Sequence, residues 1–316
     1  KDIIITSPIT FLASANAIIY NGAIPDFVDI DSKTYTIDLN KLEDKIKKYN
    51  KIGKKVKAVV GVDYAGHPCN WKDLRKMADK YQFQLVNDNC HAMGASYLKS
   101  NKYAVKYADI VTQSYHPVKN ITTGEGGAVL TNNNRIDKKI KQLRTHGMTK
   151  EINELEKNDG PWYYEMHDLG YNYRITDFQC ALGVNQLKKL PNFINIRKGI
   201  AKKYDKSFSN FSNLTVPYED ENSSHAYHLY PLKINFNNLS INRSDFFKEL
   251  KKSDILLQVH YIPVHIQPYY RKNFGFSFGD FPVSEKFYSE EISLPIYPNL
   301  SNEDQCFVID QITKLV

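Results

Sequence analysis

A lysine, an aspartate and a histidine stand at the ends of the most apolar runs of this chain. Lys119 closes Ser114-Tyr115-His116-Pro117-Val118-Lys119, after the apolar run 108–111 and before Thr122-Thr123-Gly124-Glu125-Gly126-Gly127 and a second apolar run, 128–131. Both runs read as strands, and Pro117 with the glycine cluster breaks regular structure between them. The lysine is therefore expected on an irregular loop at the end of a sheet, where α/β folds build their sites. An amine in a partly desolvated pocket has a lowered pKa, which suits it to moving protons. Asp88 and His91 fall in Asn87-Asp88-Asn89-Cys90-His91-Ala92, directly after a strand pattern at 83–86. A carboxylate in such a place keeps a neighbouring protonated nitrogen charged. Each residue also has a plainer reading: a surface lysine, a capping aspartate, a core histidine with both nitrogens satisfied.

The elements that must position them alternate between strand and helix. A strand pattern at 3–5 precedes an alanine-rich helix, 11–20, stopped by Asn21-Gly22. Strand 26–30 follows, then an amphipathic helix after Asp38 carrying Leu39, Leu42 and Ile46. Strand 56–62 leads to a helix capped by Asn70, with Leu74, Met77, Ala78 and Tyr81 on its apolar face. This alternation predicts an α/β fold with a mostly parallel central sheet flanked by helices. A helix over 177–190 is expected to turn Phe178, Ala181, Leu182 and Leu187 inward, and a charged helix, 191–208, to link two lobes. Strand 228–236, helix 244–253 and strand 256–261 predict a smaller C-terminal α/β domain, with 218–224 as a mobile polar loop. The expected division is 1–190 for the large domain and 191–316 for the linking helix and small domain.

Composition narrows the class. With 42% hydrophobic and 24% charged residues the chain has the make-up of a globular protein. No apolar run reaches the ~18 residues of a membrane span, and the opening residues lack a signal-peptide pattern. A net charge of +7 without a basic block gives no ground for nucleic-acid binding. Cys69, Cys90, Cys180 and Cys306 have neither metal nor redox spacing, so reduced thiols in a cytoplasmic protein, and no metal site, are expected.

The Ser-x-His-x-x-Lys…Thr-Thr-Gly-Glu-Gly-Gly pattern resembles the signature of the DegT/DnrJ/StrS family of pyridoxal-phosphate-dependent sugar aminotransferases. Asp88-Asn89-Cys90-His91-Ala92 is similar to the family's D-x-x-H-A element, departing from it only in Asn89 and Cys90, which should not face the cofactor. The resemblance implies a fold-type I transferase in which Lys119 carries pyridoxal 5'-phosphate as a Schiff base. It implies that Asp88 pairs with the ring nitrogen, which must stay protonated to act as an electron sink, and that His91 lies by the ring. Phe11 falls where the family stacks an aromatic residue, and Ser114 where it bonds the cofactor phosphate. Leu169-Gly170-Tyr171-Asn172-Tyr173-Arg174 looks like the family element that reaches a neighbouring subunit, so Asn172 would complete that subunit's cofactor site in a homodimer with shared active sites. His116, Arg174 and the Gln258, His260 and Tyr261 of Gln258-Val259-His260-Tyr261 would face the substrate.

Within the family, the likeness points to amino transfer from L-glutamate to the C4 ketone of a UDP-linked deoxy-amino sugar, as in pseudaminic acid-like biosynthesis. A 3-aminotransferase, a sugar dehydratase or a non-catalytic member are the alternatives, and Lys119 speaks against the dehydratase, which lacks a Schiff-base lysine. Family members carry a leading segment of several dozen residues that helps to bind the cofactor phosphate. The sequence starts beyond it, so a truncated chain or a contribution from another piece is expected.

Overall fold

Short apolar strands and capped helices follow one another through the first half of the chain. The computed structural model describes residues 1–316. Strand β1 (Ile3–Thr6) is followed by α1 (Leu12–Tyr20), β2 (Ile24–Phe27), α2 (Leu39–Lys51), β3 (Val56–Val62), α3 (Trp71–Tyr81) and β4 (Gln84–Asp88). The caps are those the side chains allow. Asp38 accepts the amides of Asn40 and Lys41, and Asn70 accepts that of Asp73, satisfying donors that have no intrahelical partner. A short pair, β5 (Ser96–Tyr97), and helix α4 (Tyr103–Tyr107) lead into β6 (Ile110–Ser114) and β7 (Gly127–Leu130).

The main sheet has the order β2-β1-β3-β4-β6-β7, parallel except for β7, which runs antiparallel to β6. Its register matters for function. Val62 pairs with Asp88, and Asp88 with Thr112, so the ends of three central strands come level. Ile3, Ile5, Val59, Leu85 and Val111 fill the core beneath them, packed on Leu42, Ile46, Trp71 and Leu74 from the helices.

Helix α5 (Asn134–Leu143) and the strand pair β8 (Met148–Thr149) and β9 (Glu165–Met166) precede α6 (Asp177–Phe208). The two helices expected over 177–190 and 191–208 are one continuous helix of 32 residues that contains Pro191. A proline there removes one backbone donor, but the capping box of Thr176 and Gln179 and the buried far half hold the helix on either side of it. Nor is the first half turned inward: Phe178 is 83% exposed, and Ala181, Leu182 and Leu187 are also exposed.

Beyond α6 come β10 (Leu214–Thr215), β11 (Ser223–Ser224), β12 (Tyr230–Ile234), α7 (Arg243–Lys252), α8 (Pro268–Phe274), α9 (Pro282–Glu290), β13 (Glu291–Leu294) and α10 (Asn302–Thr313). A three-stranded sheet, β10-β12-β13, forms around a second core of Tyr204, Phe208, Tyr230, Leu232, Phe246, Ile292 and Ile312. Two expectations fail here. The 218–224 segment is tied down, with β11 pairing antiparallel to β5 and the Asp220 amide donating to His67. The segment 256–261 is an irregular strap whose main chain pairs with β13 only at a bridge between Gln258 and Ser293. No helix is long and apolar enough to cross a membrane.

Candidate active site

The end of β6 and the start of β7 hold the lysine loop closed. The Tyr115 carbonyl accepts from the Thr123 amide and the Thr122 hydroxyl, while the Tyr115 amide donates to Gly126. Gly126 has φ +154°, and a Cβ there would overlap the Thr123 hydroxyl. The Thr-Thr-Gly-Glu-Gly-Gly run thus serves to fold the loop back on itself. Inside it the Lys119 amide donates to His116 O at 2.9 Å, and the neighbouring Asn120 is buried, donating to Met93 O at 2.8 Å. Lys119 itself is half-buried. Burial holds its ammonium below the ordinary lysine range, with Cys90 and Asp88 pulling the other way.

Asp88 ends β4. Its Oδ2 accepts from Ser14 Oγ at 2.5 Å and its Oδ1 from the Cys90 amide at 3.2 Å, while no cation pairs with it. Ser14 belongs to the first turn of α1 and is itself bonded to Thr10 at 2.8 Å. Asn89 turns into the core toward Asp63 and Tyr103. Cys90 does not turn away in the same sense: its half-buried thiol lies close enough to feel both Asp88 and Lys119.

His91 is buried, and its tautomer follows from its partners. Nδ1 accepts the Ala65 amide at 3.2 Å, which leaves Nε2 to carry the proton and donate to Tyr261 Oη at 3.1 Å. Burial, then the nearby Lys119, keeps the imidazole well below its usual pKa and so neutral. Burial also raises the Tyr261 phenol, leaving a protonated hydroxyl free to donate onward. Phe11, immediately before α1, is 58% exposed, with its ring centroid 6.0 Å from that of Tyr261. That exposure keeps the ring out of the helix core.

Lys119 lines a cleft of ≈ 660 Å³ whose other walls include His228, His260, Tyr261, Ser293 and Arg197. Gln258 is also on this rim. Arg197 of α6 is buried and donates to the carbonyls of Tyr227, His228 and Ile296, locking the segment that bears His228. The His228 ring lies 4.4 Å from that of His91. Ser14, Arg197, His228 and Ser293 were not singled out in the sequence, because their partners lie far away along the chain. By contrast His265 is fully buried against Phe281 and bonded to Glu285, away from the cleft.

The remaining residues divide. Ser114 Oγ accepts the His116 amide at 3.3 Å, and exposed His116 lies 3.9 Å from Glu125. Asn172 and Arg174 are exposed and line a different hollow, with Gln113, Tyr115 and Glu125. The structure does not bring them to Lys119 within this chain. Gly170 positions their run: its Cα lies so near His146 and Gly147 that any Cβ would collide with their backbone.

The sequence model of the DegT/DnrJ/EryC1/StrS aminotransferase family matches residues 1–313. The chain is 37% identical over 319 residues to the UDP-4-amino-4,6-dideoxy-N-acetyl-beta-L-altrosamine transaminase of Campylobacter jejuni, covering 100% of this chain and 80% of the relative. Among solved structures it resembles Helicobacter pylori PseC, an aminotransferase involved in pseudaminic acid biosynthesis, with TM-score 0.88 and 32% identity over 99% of this chain and 79% of that one. It also resembles Spr1654 of Streptococcus pneumoniae, solved in PLP and PMP forms. The PLP form gives TM-score 0.85 and 28% identity, covering 99% of this chain and 80% of that one.

Proposed function

The chain belongs to the DegT/DnrJ/EryC1/StrS family of pyridoxal-phosphate-dependent sugar aminotransferases, and on that premise we propose that it moves an amino group from L-glutamate to the C4 ketone of a UDP-linked deoxy-amino sugar. The observation that carries the catalytic half is the placement of Lys119: a half-buried amine with a depressed pKa, lining a cleft and near enough to Asp88 for that carboxylate to act on its charge. The substrate half rests on likeness to the Campylobacter transaminase. A cleft of ≈ 660 Å³ is within the range of small-molecule sites.

The residues present suit the cofactor. Asp88 is a carboxylate without a cation, oriented by Ser14 and the Cys90 amide, as a protonated ring nitrogen requires. Phe11 offers an open aromatic face, and Lys119 an amine whose charged form burial disfavours. Pyridoxal phosphate, when bound, supplies the electron sink for breaking a C–H bond next to nitrogen. The chain supplies the rest. Lys119 takes and returns the proton at Nζ, Asp88 holds charge opposite the ring nitrogen, and the Ala65–His91–Tyr261 chain fixes a phenolic donor at the cleft wall.

Asn172 we assign to the site of a second copy, making the active unit a homodimer. Support comes from its distance from the Lys119 cleft in its own chain and from the apolar surface beside it. Leu169 is 86% exposed, Phe178 83% and Tyr173 71%; exposed apolar groups gathered in this way favour association. Four unpaired cysteines fit a reducing, cytoplasmic setting. The test runs the reaction in reverse, with a UDP-linked 4-amino-6-deoxy sugar and 2-oxoglutarate. Glutamate and a 4-keto sugar are the expected products. Activity with thymidine-linked sugars alone refutes the nucleotide, and amination at C3, read by NMR of the forward product, refutes the ketone position.

A further inference from the structure

Glu291 opens β13 with a side chain that the catalytic account leaves unused. It is fully buried and forms no ion pair; Arg243 approaches it but spends its hydrogen bond on the Glu291 carbonyl, at 2.6 Å. Glu291 and Ser293 are two residues apart on one strand and so share a face. Ser293 Oγ lies 2.5 Å from Glu291 Oε1 and 2.8 Å from His260 Nδ1. The other carboxyl oxygen, Oε2, accepts the His260 amide at 2.9 Å. Tyr64 donates its hydroxyl to the His260 carbonyl. His260 is thereby held at the cleft wall, while its Nε2 has no partner within the protein.

The order of these contacts restricts the protons. Oε2 accepts the His260 amide and has no acceptor beside it, whereas Oε1 faces the Ser293 hydroxyl, so a carboxyl proton is placed on Oε1. Ser293 has one hydroxyl proton and can give it to Glu291 or to His260, not to both. If Glu291 is protonated, Oε1–H donates to Ser293, Ser293 donates to Nδ1, and His260 shows an N–H at Nε2. If Glu291 is ionised, Ser293 donates to Oε1, Nδ1–H donates to Ser293, and His260 shows a lone pair at Nε2.

We propose that Glu291, Ser293 and His260 form a proton wire through which His260 gives a proton to, or takes one from, a substrate group in the Lys119 cleft without itself becoming charged. In the giving direction one proton leaves Nε2, the Ser293 proton passes to Nδ1, and the Glu291 proton passes to Ser293. The negative charge then rests on Glu291. The taking direction reverses each transfer. His260 is thus a proton-transfer residue of the sugar aminotransferase reaction, and Glu291 and Ser293 are the positioning residues behind it; this rests on the reading of the Lys119 cleft as the active site.

The electrostatics agree with a neutral histidine backed by a titratable acid. Burial, with Lys119 across the cleft, holds His260 down at about 4, and His228 adds a second neutral neighbour. Burial pushes Glu291 up to about 8, opposed by Ser293, the His260 amide and Arg243. The other ionisable groups facing Glu291 are the phenols of Tyr35, Tyr64 and Tyr261, all raised by burial and so neutral in this range.

The test follows the tautomer of His260 by nitrogen NMR in the cofactor-loaded protein, from about pH 6 to about pH 10, where an ordinary histidine is already neutral over most of the range. In the unaltered protein the proton should move from Nε2 to Nδ1 as pH rises, with a midpoint near that of Glu291. Glu291→Gln should abolish the step and hold Nε2–H throughout, because its amide oxygen must accept the His260 amide and its NH2 must donate to Ser293. Ser293→Ala should also abolish the step, and it keeps the proposal testable if the first variant does not fold. A single tautomer across the range in the unaltered protein, or a step that persists unchanged in both variants, overturns the wire. The limb of kcat/KM that follows Glu291 should be lost in Glu291→Gln. The NMR result needs no turnover, so a protein that shows the step but fails to aminate UDP-sugars refutes the proposed function and leaves the wire standing.

Discussion

The two sides of the Lys119 site are built in different ways. On the sheet side, Asp88 and the lysine loop stand at the ends of paired strands, and β4, β6 and β7 fix them through main-chain hydrogen bonds in register. On the small-domain side, His260 and Tyr261 lie on an irregular strap whose main chain pairs with β13 at one bridge. Its precision comes from side chains instead: Glu291, Ser293 and Tyr64 grip His260, and His91 grips Tyr261. A wall set by backbone pairing tolerates side-chain changes behind it, whereas a wall set by a few buried polar groups depends on each of them.

This contrast predicts unequal penalties. Asp88→Asn, on the sheet wall, should keep part of its cofactor binding yet lower turnover by about a hundredfold or more, since the charge opposite the ring nitrogen is gone. Steady-state kinetics with saturating cofactor measures it, and near-normal turnover would remove Asp88 from its role. Asn172→Ala should weaken cofactor binding by about ten- to a hundredfold, as expected for losing a hydrogen bond to a charged phosphate worth roughly 1.5–3 kcal/mol. When dissociated Asn172→Ala and Lys119→Ala protomers are recombined, half of the sites in each mixed dimer have both residues intact, so activity should partly return. If mixed dimers form and stay inactive, Asn172 works within its own chain.

Smaller effects test the finer points. Phe11→Ala removes a stacking face worth roughly 0.5–1.5 kcal/mol, so cofactor affinity should fall by about two- to tenfold, read by fluorescence titration. Unchanged affinity would leave Phe11 without a cofactor role. The last effect is on stability without cofactor. Burial lowers the folded-state pKa of Lys119 below its unfolded value, so between the two the unfolded chain holds more protons and stability rises with pH. That gain is absent below the folded pKa and complete above the unfolded one. Lys119→Met lacks this term; its melting-temperature advantage over the unaltered protein should therefore shrink as pH climbs toward the ordinary lysine pKa, and a constant difference would mean that the amine is not desolvated.

The sheet wall was legible in the sequence for a physical reason. Strands β1, β3 and β4 are apolar runs bounded by caps and glycines, and the residues at their ends are close in sequence to the signals that define them. Asp38 and Asn70 announce their helices through side-chain chemistry that acts within three residues. The strap was not legible, because 256–261 carries a strand-like composition but pairs at only one point. Glu291, Ser293 and Ser14 act through contacts 31, 33 and 74 residues away, which no local pattern encodes. The first half of α6 misled for another reason. Phe178, Leu182 and Leu187 form an apolar stripe at helical spacing, but in this chain they face outward, and periodicity tells that a face is covered without telling by what.

The central claim is that Lys119 is the residue that carries the cofactor. Borohydride reduction of the cofactor-loaded protein, followed by proteolysis and peptide mass analysis, tests it directly. The reduced phosphopyridoxyl adduct should be found on the peptide containing Lys119, and it should disappear in Lys119→Ala. An adduct on another of the chain's lysines, or none on a protein shown to hold the cofactor, would contradict the account.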